Sequence, residues 1–393
     1  MTIEGRDDAR GRRIRLGMVG GGQGAFIGAV HRMAARIDDR FDLVAGALSS
    51  TPEKAKASAA EIGLDPARSY GSYEEMARAE KERPDGIEAV AIVTPNHMHY
   101  PVARTFLEAG YHVICDKPVT TTLADAKDLA EIVRRSGKAF VLTHNYTGYP
   151  MIRQARAMCA AGDLGDIRIV QAHYIQDFLA TKVEDAGSKQ AAWRVDPSKS
   201  GAGGTIGDIG THAFNLASFV TGLELDSLAC ELTSFGEGRS LDDNAQMLLR
   251  FRERNGVAAK GTLWASQVAV GHENTLALTV IGTKAGLTWQ QEEPNRLWFT
   301  RLGEPKQLLT RGGAGANAAA GRVTRIPAGH PEGYLEGFAT IYAEAAELIA
   351  ATDEGRAPPE GLGTVTIEDG VTGMAFIEAC VRSARDDGAW TRL

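Results

Sequence analysis

Short apolar runs alternate with amphipathic stretches along the first third of the chain. Residues 14–19, 41–48, 89–93, 112–115 and 139–143 are rich in aliphatic side chains and predict buried strands. Between them, helical spacing predicts helices over 27–37, 52–62, 101–109 and 123–135. At the first of these, Phe26, Val30, Met33, Ala34 and Ile37 recur on one helical stripe. A weaker strand falls at 69–70, followed by a helical pattern over 73–82. Strands that alternate with helices in this way predict a parallel sheet with helices on both faces.

After about residue 146 the rhythm changes. A helix over 151–161 leads to a long strand at 167–178, an irregular segment at 179–204 and a helix over 206–220. From 226 to 301 the text is strand-like, with little room for crossover helices. Within it Asn255-Gly256 is the dipeptide that best supplies the two positive φ angles of a tight hairpin. A Gly/Ala-rich loop at 312–321 precedes two helices, 331–351 and 368–384. The expected architecture is α/β. Residues 1–145 form a Rossmann-type, doubly wound parallel sheet, and residues 146–393 an α+β domain with a large, mostly antiparallel, open-faced sheet. At 393 residues the chain exceeds one ordinary core.

Composition narrows the partners. A net charge of −7 gives no basic field for a phosphate backbone, so no nucleic-acid partner is expected. No apolar run approaches the roughly eighteen residues of a membrane span, and the polar stretch 1–13 has no signal-peptide core. Cys115, Cys159, Cys230 and Cys380 are far apart and fit buried thiols in a reducing compartment. A cytoplasmic location follows as an expectation.

Gly20-Gly21-Gly22-Gln23-Gly24 follows the first strand and opens the first helix. Glycines there let the backbone approach a pyrophosphate, which then sits on the amides of the helix N-terminus. Gly20 and Gly22 fit the first two positions of the dinucleotide fingerprint, but Ala25 stands at the third and the next glycine is Gly28. A loop about three residues longer than usual explains the spacing, with Ala25 and Phe26 as further cradle residues. At the end of the second strand, where an acid often holds the ribose diol of NAD, stand Ser49, Ser50 and Thr51, with Lys54 close by. Two readings stand: these side chains accept the 2′-phosphate of NADP, or they cap the helix that starts at Pro52.

Cys115-Asp116-Lys117-Pro118 ends another strand, with Thr94-Pro95-Asn96-His97 upstream and Gly203-Gly204-x3-Asp208-x-Gly210-x-His212 downstream. With these motifs, and Glu368-Asp369-Gly370 opening the last helix, nearly the whole chain resembles the Gfo/Idh/MocA family. That group is named for glucose–fructose oxidoreductase, inositol dehydrogenase and a rhizopine-catabolism protein. The family usually has Glu where Asp116 stands, and Asp116 and Lys117 are expected with Pro118 among the cofactor contacts. The resemblance implies an NAD- or NADP-dependent oxidoreductase acting on a sugar, inositol or related polyol. It makes Lys117 the catalytic lysine, which stabilises a developing alkoxide. Pro118 lies beside the nicotinamide, and the Thr94–His97 turn runs along the cofactor with Asn96 as a contact. It also implies a homo-oligomer formed through the open sheet. His97 and His99 are alternatively plain loop and helix-start residues.

Asp208 and His212 are four apart on the expected helix and share a face. An imidazole titrating near neutrality suits a general base, and Asp208 suits binding a hydroxyl or orienting that imidazole. Asp208 is otherwise an ordinary first-turn acid. Many relatives have an acid where Asn215 stands. Tyr146 falls near the expected domain junction and is a substrate candidate, as are Trp193 and Arg194, an aromatic face and a guanidinium suited to a polyhydroxylated ring and equally to a buried anchor for their loop. His330, in His330-Pro331-Glu332-Gly333-Tyr334, resembles a substrate contact of one family subgroup; on residue chemistry alone it begins a helix with Pro and Glu in the first turn. Asp208, His212 and His173 do not demand a metal, and none is expected. Two other functions compete: a glycosidase using transient oxidation on bound NAD, and a non-catalytic dinucleotide or sugar sensor.

Overall fold

The computed structural model describes residues 12–184, 193 and 196–393, which fall into two compact units. In the first, β1 (Ile14–Gly20), β2 (Phe41–Ala47), β3 (Ala89–Val93), β4 (His112–Cys115) and β5 (Phe140–Leu142) form a sheet ordered β2-β1-β3-β4-β5. All four pairings are parallel. β3, at its centre, is buried along its whole length, as expected where helices cover both faces. Helices α1 (Phe26–Ile37), α2 (Pro52–Glu61), α3 (Tyr73–Lys81), α4 (His99–Glu108) and α5 (Leu123–Ser136) supply the crossovers. β2 and β3 flank β1 on opposite sides, so the chain reverses direction there. The crevice outside the carboxyl ends of β1 and β3 is the point where such sheets bind ligands.

Two details of the first unit depart from expectation. The residues 69–70 contribute one bridge, between Gly46 and Ser69, rather than a strand. More consequentially, α1 buries only Val30 and Ala34 of the stripe that apolarity marked. Phe26, Met33 and Ile37 are exposed, while Gly28, Val30, His31, Ala34 and Ala35 are buried. The reason is His31, a polar residue that turns inward because both ring nitrogens find partners.

The second unit is built on a sheet of β6 (Ile167–Ile175), β7 (Leu225–Thr233), β8 (Asn244–Phe251), β9 (Lys260–Ser266), β10 (Thr275–Gly282), β11 (Ala285–Gln290), β12 (Arg296–Arg301), β13 (Gln307–Thr310) and β14 (Thr391–Arg392). The order is β13-β12-β11-β10-β6-β9-β8-β7-β14, antiparallel except where β6 meets β9. β8 and β9 are joined across Asn255-Gly256, whose φ angles of 53° and 77° give the hairpin its tight turn. Strict alternation puts Ala245, Met247, Leu249 and Phe251 on the covered face of β8, and Gln246, Leu248 and Arg250 on the open one. Helices α6 (Pro150–Ala160) and α7 (Thr211–Thr221) back the covered face. Inside the expected loop at 312–321 a short helix begins, α8 (Ala318–Val323), which the Asn317 side chain caps by accepting the Ala320 amide.

Helix α9 (Tyr334–Asp353) corrects the expected assignment of 146–393 to one domain, because 334–371 group with the first unit. Phe338, Ile341, Tyr342, Ala345 and Ile349 share one core with Val30, Ala34, Phe41 and Ile114. Apolar periodicity gives a helix its buried stripe but not the sheet it will cover. The last helix, α10 (Ile367–Arg385), and α9 otherwise lie close to their expected spans. Among the described residues no helix is long and apolar enough to cross a membrane, and all four cysteines are free.

Candidate active site

The glycine loop of the first unit is built for close approach. Gly20, Gly21 and Gly24 have φ of 80°, 70° and 77°. A Cβ on Gly22 would meet the Leu48 carbonyl oxygen at 2.4 Å, and one on Gly28 would meet the Gly21 backbone at 2.2 Å. Gly28 thus does the packing work of the fingerprint's third glycine, three residues late. α1 opens without an acid in its first turn and without a side-chain cap, so its amide donors are presented to an anion. The Thr94 hydroxyl, next to Gly20, is buried and makes no hydrogen bond among the described residues. The residues present therefore fit a dinucleotide cradle.

Not every expected cradle residue faces the same way. Gln23 donates its amide to Ser58 Oγ at 3.1 Å and its side chain to Glu61 at 2.8 Å, tying the long loop to α2. Arg32, missed in the sequence, donates from α1 to the Gly21 carbonyl at 2.8 Å; burial lowers its pKa. Phe26 is exposed beside the loop. Ser49 is half-buried, and Ser50, Thr51 and Lys54 are exposed. Thr51 occupies the N-cap of α2 without a side-chain capping bond, which removes it from the capping role. Asn96 is buried and His97 exposed.

At the carboxyl end of β4, the expectation that Asp116 contacts cofactor needs correction. Its carboxylate turns inward, 3.0 Å from His31 Nε2 and 2.5 Å from the donating Thr143 hydroxyl. His31 Nδ1 lies 2.7 Å from the Tyr342 hydroxyl. Burial opposes ionisation of Asp116, but the His31 ring and the Thr143 hydroxyl outweigh it and hold the carboxyl below its usual range. Asp116 is thus an anchor for the turn that carries Lys117. Its other strut is His99, whose ring nitrogens lie 2.6 Å from the Pro118 carbonyl and 2.9 Å from that of Thr94. The Lys117-Pro118 peptide is cis. His144, also missed in the sequence, is buried after β5, and burial together with the Lys117 cation lowers its pKa to about 3. It is a neutral imidazole at working pH.

In the second unit the expected helix over 206–220 opens as a π-helical turn, Ile206–Gly210, before α7 begins at Thr211. Such wide turns concentrate at functional sites. His212 is buried with its ring 4.9 Å from that of Tyr146, edge to face, and 6.1 Å from that of Tyr174. The Tyr146 and Tyr174 hydroxyls are 2.7 Å apart, and Tyr174 donates to Asn274 Oδ1 at 2.7 Å. Burial raises the Tyr146 pKa, so its phenol stays protonated. Asp208 accepts from Gln267 Nε2 at 3.0 Å. Asn215 stands one turn past His212, its buried Oδ1 without a bond among the described residues.

The segment leading into the π turn hangs on Asp242. Its carboxylate accepts the Gly204 amide at 2.7 Å and the Ile206 amide at 2.8 Å, and its carbonyl accepts the Thr205 amide at 2.9 Å. Burial pushes the Asp242 pKa up to about 6 against those amides, with neighbouring Asp243 adding to the rise. Tyr174, Asn274, Gln267 and Asp242 were not legible as site residues. They come from strands and loops far apart in sequence and carry no local motif.

Other expected residues lie elsewhere. His173 and Tyr174 point to opposite faces of β6, and His173 lines the open face with Trp264 and Gln246. The structure thus separates His173 from His212. Trp193 is half-buried, and Arg194 lies outside the described residues. His330 is exposed, and its carbonyl is held by Arg311. Pro331 and Glu332 precede α9 rather than opening it, and Glu332 is buried against Arg311 at 3.0 Å.

A glycine cradle at the switch point of a parallel sheet, with an ammonium at the next strand end, defines a dinucleotide-binding oxidoreductase. Residues 14–146 match the oxidoreductase family with NAD-binding Rossmann fold, and residues 152–288 match the GFO/IDH/MocA C-terminal domain. The chain belongs to the GFO/IDH/MocA family. The uncharacterized oxidoreductase YfiI of Bacillus subtilis is 36% identical over 386 residues, 97% of each chain. An oxidoreductase from Sinorhizobium meliloti is 58% identical with a TM-score of 0.87, covering 97% of this chain and 100% of that one. An inositol dehydrogenase homolog from Azotobacter vinelandii, complexed with NAD+, is 38% identical with a TM-score of 0.91, covering 97% and 98%. An inositol dehydrogenase homolog from Azotobacter vinelandii complexed with NADH and myo-inositol is 37% identical with a TM-score of 0.88, covering 97% and 98%.

Asp242 yields a pH prediction. Its folded pKa of about 6 lies above the unfolded value of roughly 3.9, so its contribution to stability is fully present below about pH 4 and lost as pH rises through 6. The Tm of the wild type minus that of Asp242→Asn should fall between pH 4 and pH 7. Thermal scans across that range giving a constant gap would remove Asp242 as the source.

Proposed function

We propose that this chain is a nicotinamide-dependent dehydrogenase or reductase acting on a secondary alcohol or ketone of a sugar, inositol or related polyol. The observation that carries the reading is the setting of His212. An imidazole and the Asp208 carboxylate lie among the hydroxyls and amides of Tyr146, Tyr174, Asn274 and Gln267. Uncharged donors and acceptors beside one carboxylate suit a substrate bearing many hydroxyls. The binding of myo-inositol by the Azotobacter vinelandii homolog supports the same class.

When bound, the nicotinamide supplies or takes the hydride. On the protein side, His212 takes the proton of the reacting hydroxyl, and Asp208 binds a hydroxyl or orients the imidazole. The Lys117 ammonium, on a turn held by Asp116 and His99, stabilises the alkoxide as it develops. Trp193 and His330 are proposed contacts for the outer hydroxyls. Separate Lys117→Ala and His212→Ala variants should each lower kcat by roughly a hundredfold or more while dinucleotide binding, read by fluorescence, survives. Unchanged turnover in His212→Ala would strike it out as the base.

Ser49 leaves no carboxylate to repel a 2′-phosphate, and Lys54 nearby is exposed, which supports use of NADP as well as NAD. A carbohydrate and polyol panel run with both cofactors should produce reduced nicotinamide with each. A strong preference for NAD overturns the cofactor reading, and glycoside cleavage without net reduction makes the chain a glycosidase. A complete lack of turnover across the panel returns it to a sensor.

We also propose a cytoplasmic homo-oligomer formed through the open sheet, where Ile169, Leu248, Trp264, Ile281 and Trp298 are all exposed. Paired Leu248→Asp and Trp264→Asp substitutions should give a monomer by light scattering. An unchanged mass would place the interface elsewhere.

A further inference from the structure

We infer that Gln267 is a positioning residue that fixes the carboxylate of Asp208, an assignment resting on Asp208 belonging to the active site proposed above. Gln267 directly follows β9 and is 2% exposed. Its backbone is held on both sides: its amide donates to the Asp243 carbonyl at 2.9 Å, and its carbonyl accepts the Leu179 amide at 2.7 Å. The side chain has no freedom of role. Thr205, wholly buried, donates its hydroxyl to Gln267 Oε1 at 2.9 Å, which leaves Nε2 facing Asp208 Oδ2 at 3.0 Å. Thr205 is itself pinned through its amide to the Asp242 carbonyl. A chain of fixed groups therefore runs from the sheet end to one oxygen of Asp208.

The choice of an amide matters chemically. A lysine or arginine at 267 would pair its charge with Asp208 and weaken the carboxylate as an acceptor for a hydroxyl. An amide orients the carboxylate without neutralising it. Among the described residues, titratable groups near Asp208 include His212, four positions on in the helix that follows, and the Tyr146 phenol, which feels the Asp208 charge.

Gln267→Glu retains shape and places a second carboxylate against Asp208, so the two must share a proton. On the best substrate of the panel, the acidic limb of the kcat/KM profile should move up by about one pH unit or more. Carbon-13 NMR of labelled aspartate, with Asp208→Asn assigning the resonance, should show the Asp208 carboxyl titrating at higher pH in Gln267→Glu, with no substrate needed. Thr205→Val removes the hydroxyl that orients the amide and covers the case in which Gln267→Glu does not fold. It should lower kcat/KM on the order of tenfold with Tm retained. If Asp208→Asn is inactive but the Gln267→Glu limb and resonance stay at wild-type positions, or Thr205→Val is indistinguishable from wild type, the inference fails and the site reading stands. If Asp208→Asn is fully active, the site reading itself fails and the role of Gln267 falls with it.

Discussion

The carboxylate of Asp242 takes two backbone amides, those of Gly204 and Ile206, in a place almost closed to water. Buried amides need acceptors, and at the entry to a π turn the helix itself does not supply them. A single side chain from the segment before β8 therefore decides whether the residues ahead of Asp208 and His212 hold one conformation. Desolvation opposes this arrangement, which is why the Asp242 pKa rises to about 6 even with the amides in place. The ionised carboxylate therefore holds these amides at a cost in stability.

The first unit solves the same problem with different parts. Asp116 is tied to His31 and Thr143, and His31 reaches on to Tyr342 in α9. The turn bearing Lys117 is thus braced from α1, from Thr143 just after β5 and from α9 together. The helix that covers this sheet late in the chain does more than complete a core: the Tyr342 hydroxyl against His31 continues the brace behind the lysine.

The long glycine loop follows a related logic. An extended turn offers more backbone to a ligand but loses the rigidity of the short fingerprint. Gln23 to α2 and Arg32 to the Gly21 carbonyl restore some of it. Gly28 keeps the close packing of loop on helix that the shorter form obtains three residues earlier.

Local pattern by itself determined a good deal here. Continuous apolar runs separated by helical spacing determined the parallel sheet, because strands buried on both faces leave that texture. Strict alternation and Asn255-Gly256 determined the antiparallel β8–β9 hairpin, because pleat and positive φ are properties of neighbouring residues. Lys117, Asp208 and His212 stood out because short motifs carried them. What tertiary structure alone decided were matters of distance between residues remote in sequence. His31 reads as a polar break in an apolar stripe until Asp116 and Tyr342 lie against it, and α9 could have covered either sheet. Gln267 and Asp242 sit in segments with no motif, since a hydrogen-bond partner some forty to sixty residues away leaves no periodic mark on the chain. Hydrophobic burial is written in local spacing, whereas the satisfaction of a buried polar group depends on where the rest of the fold brings its partner.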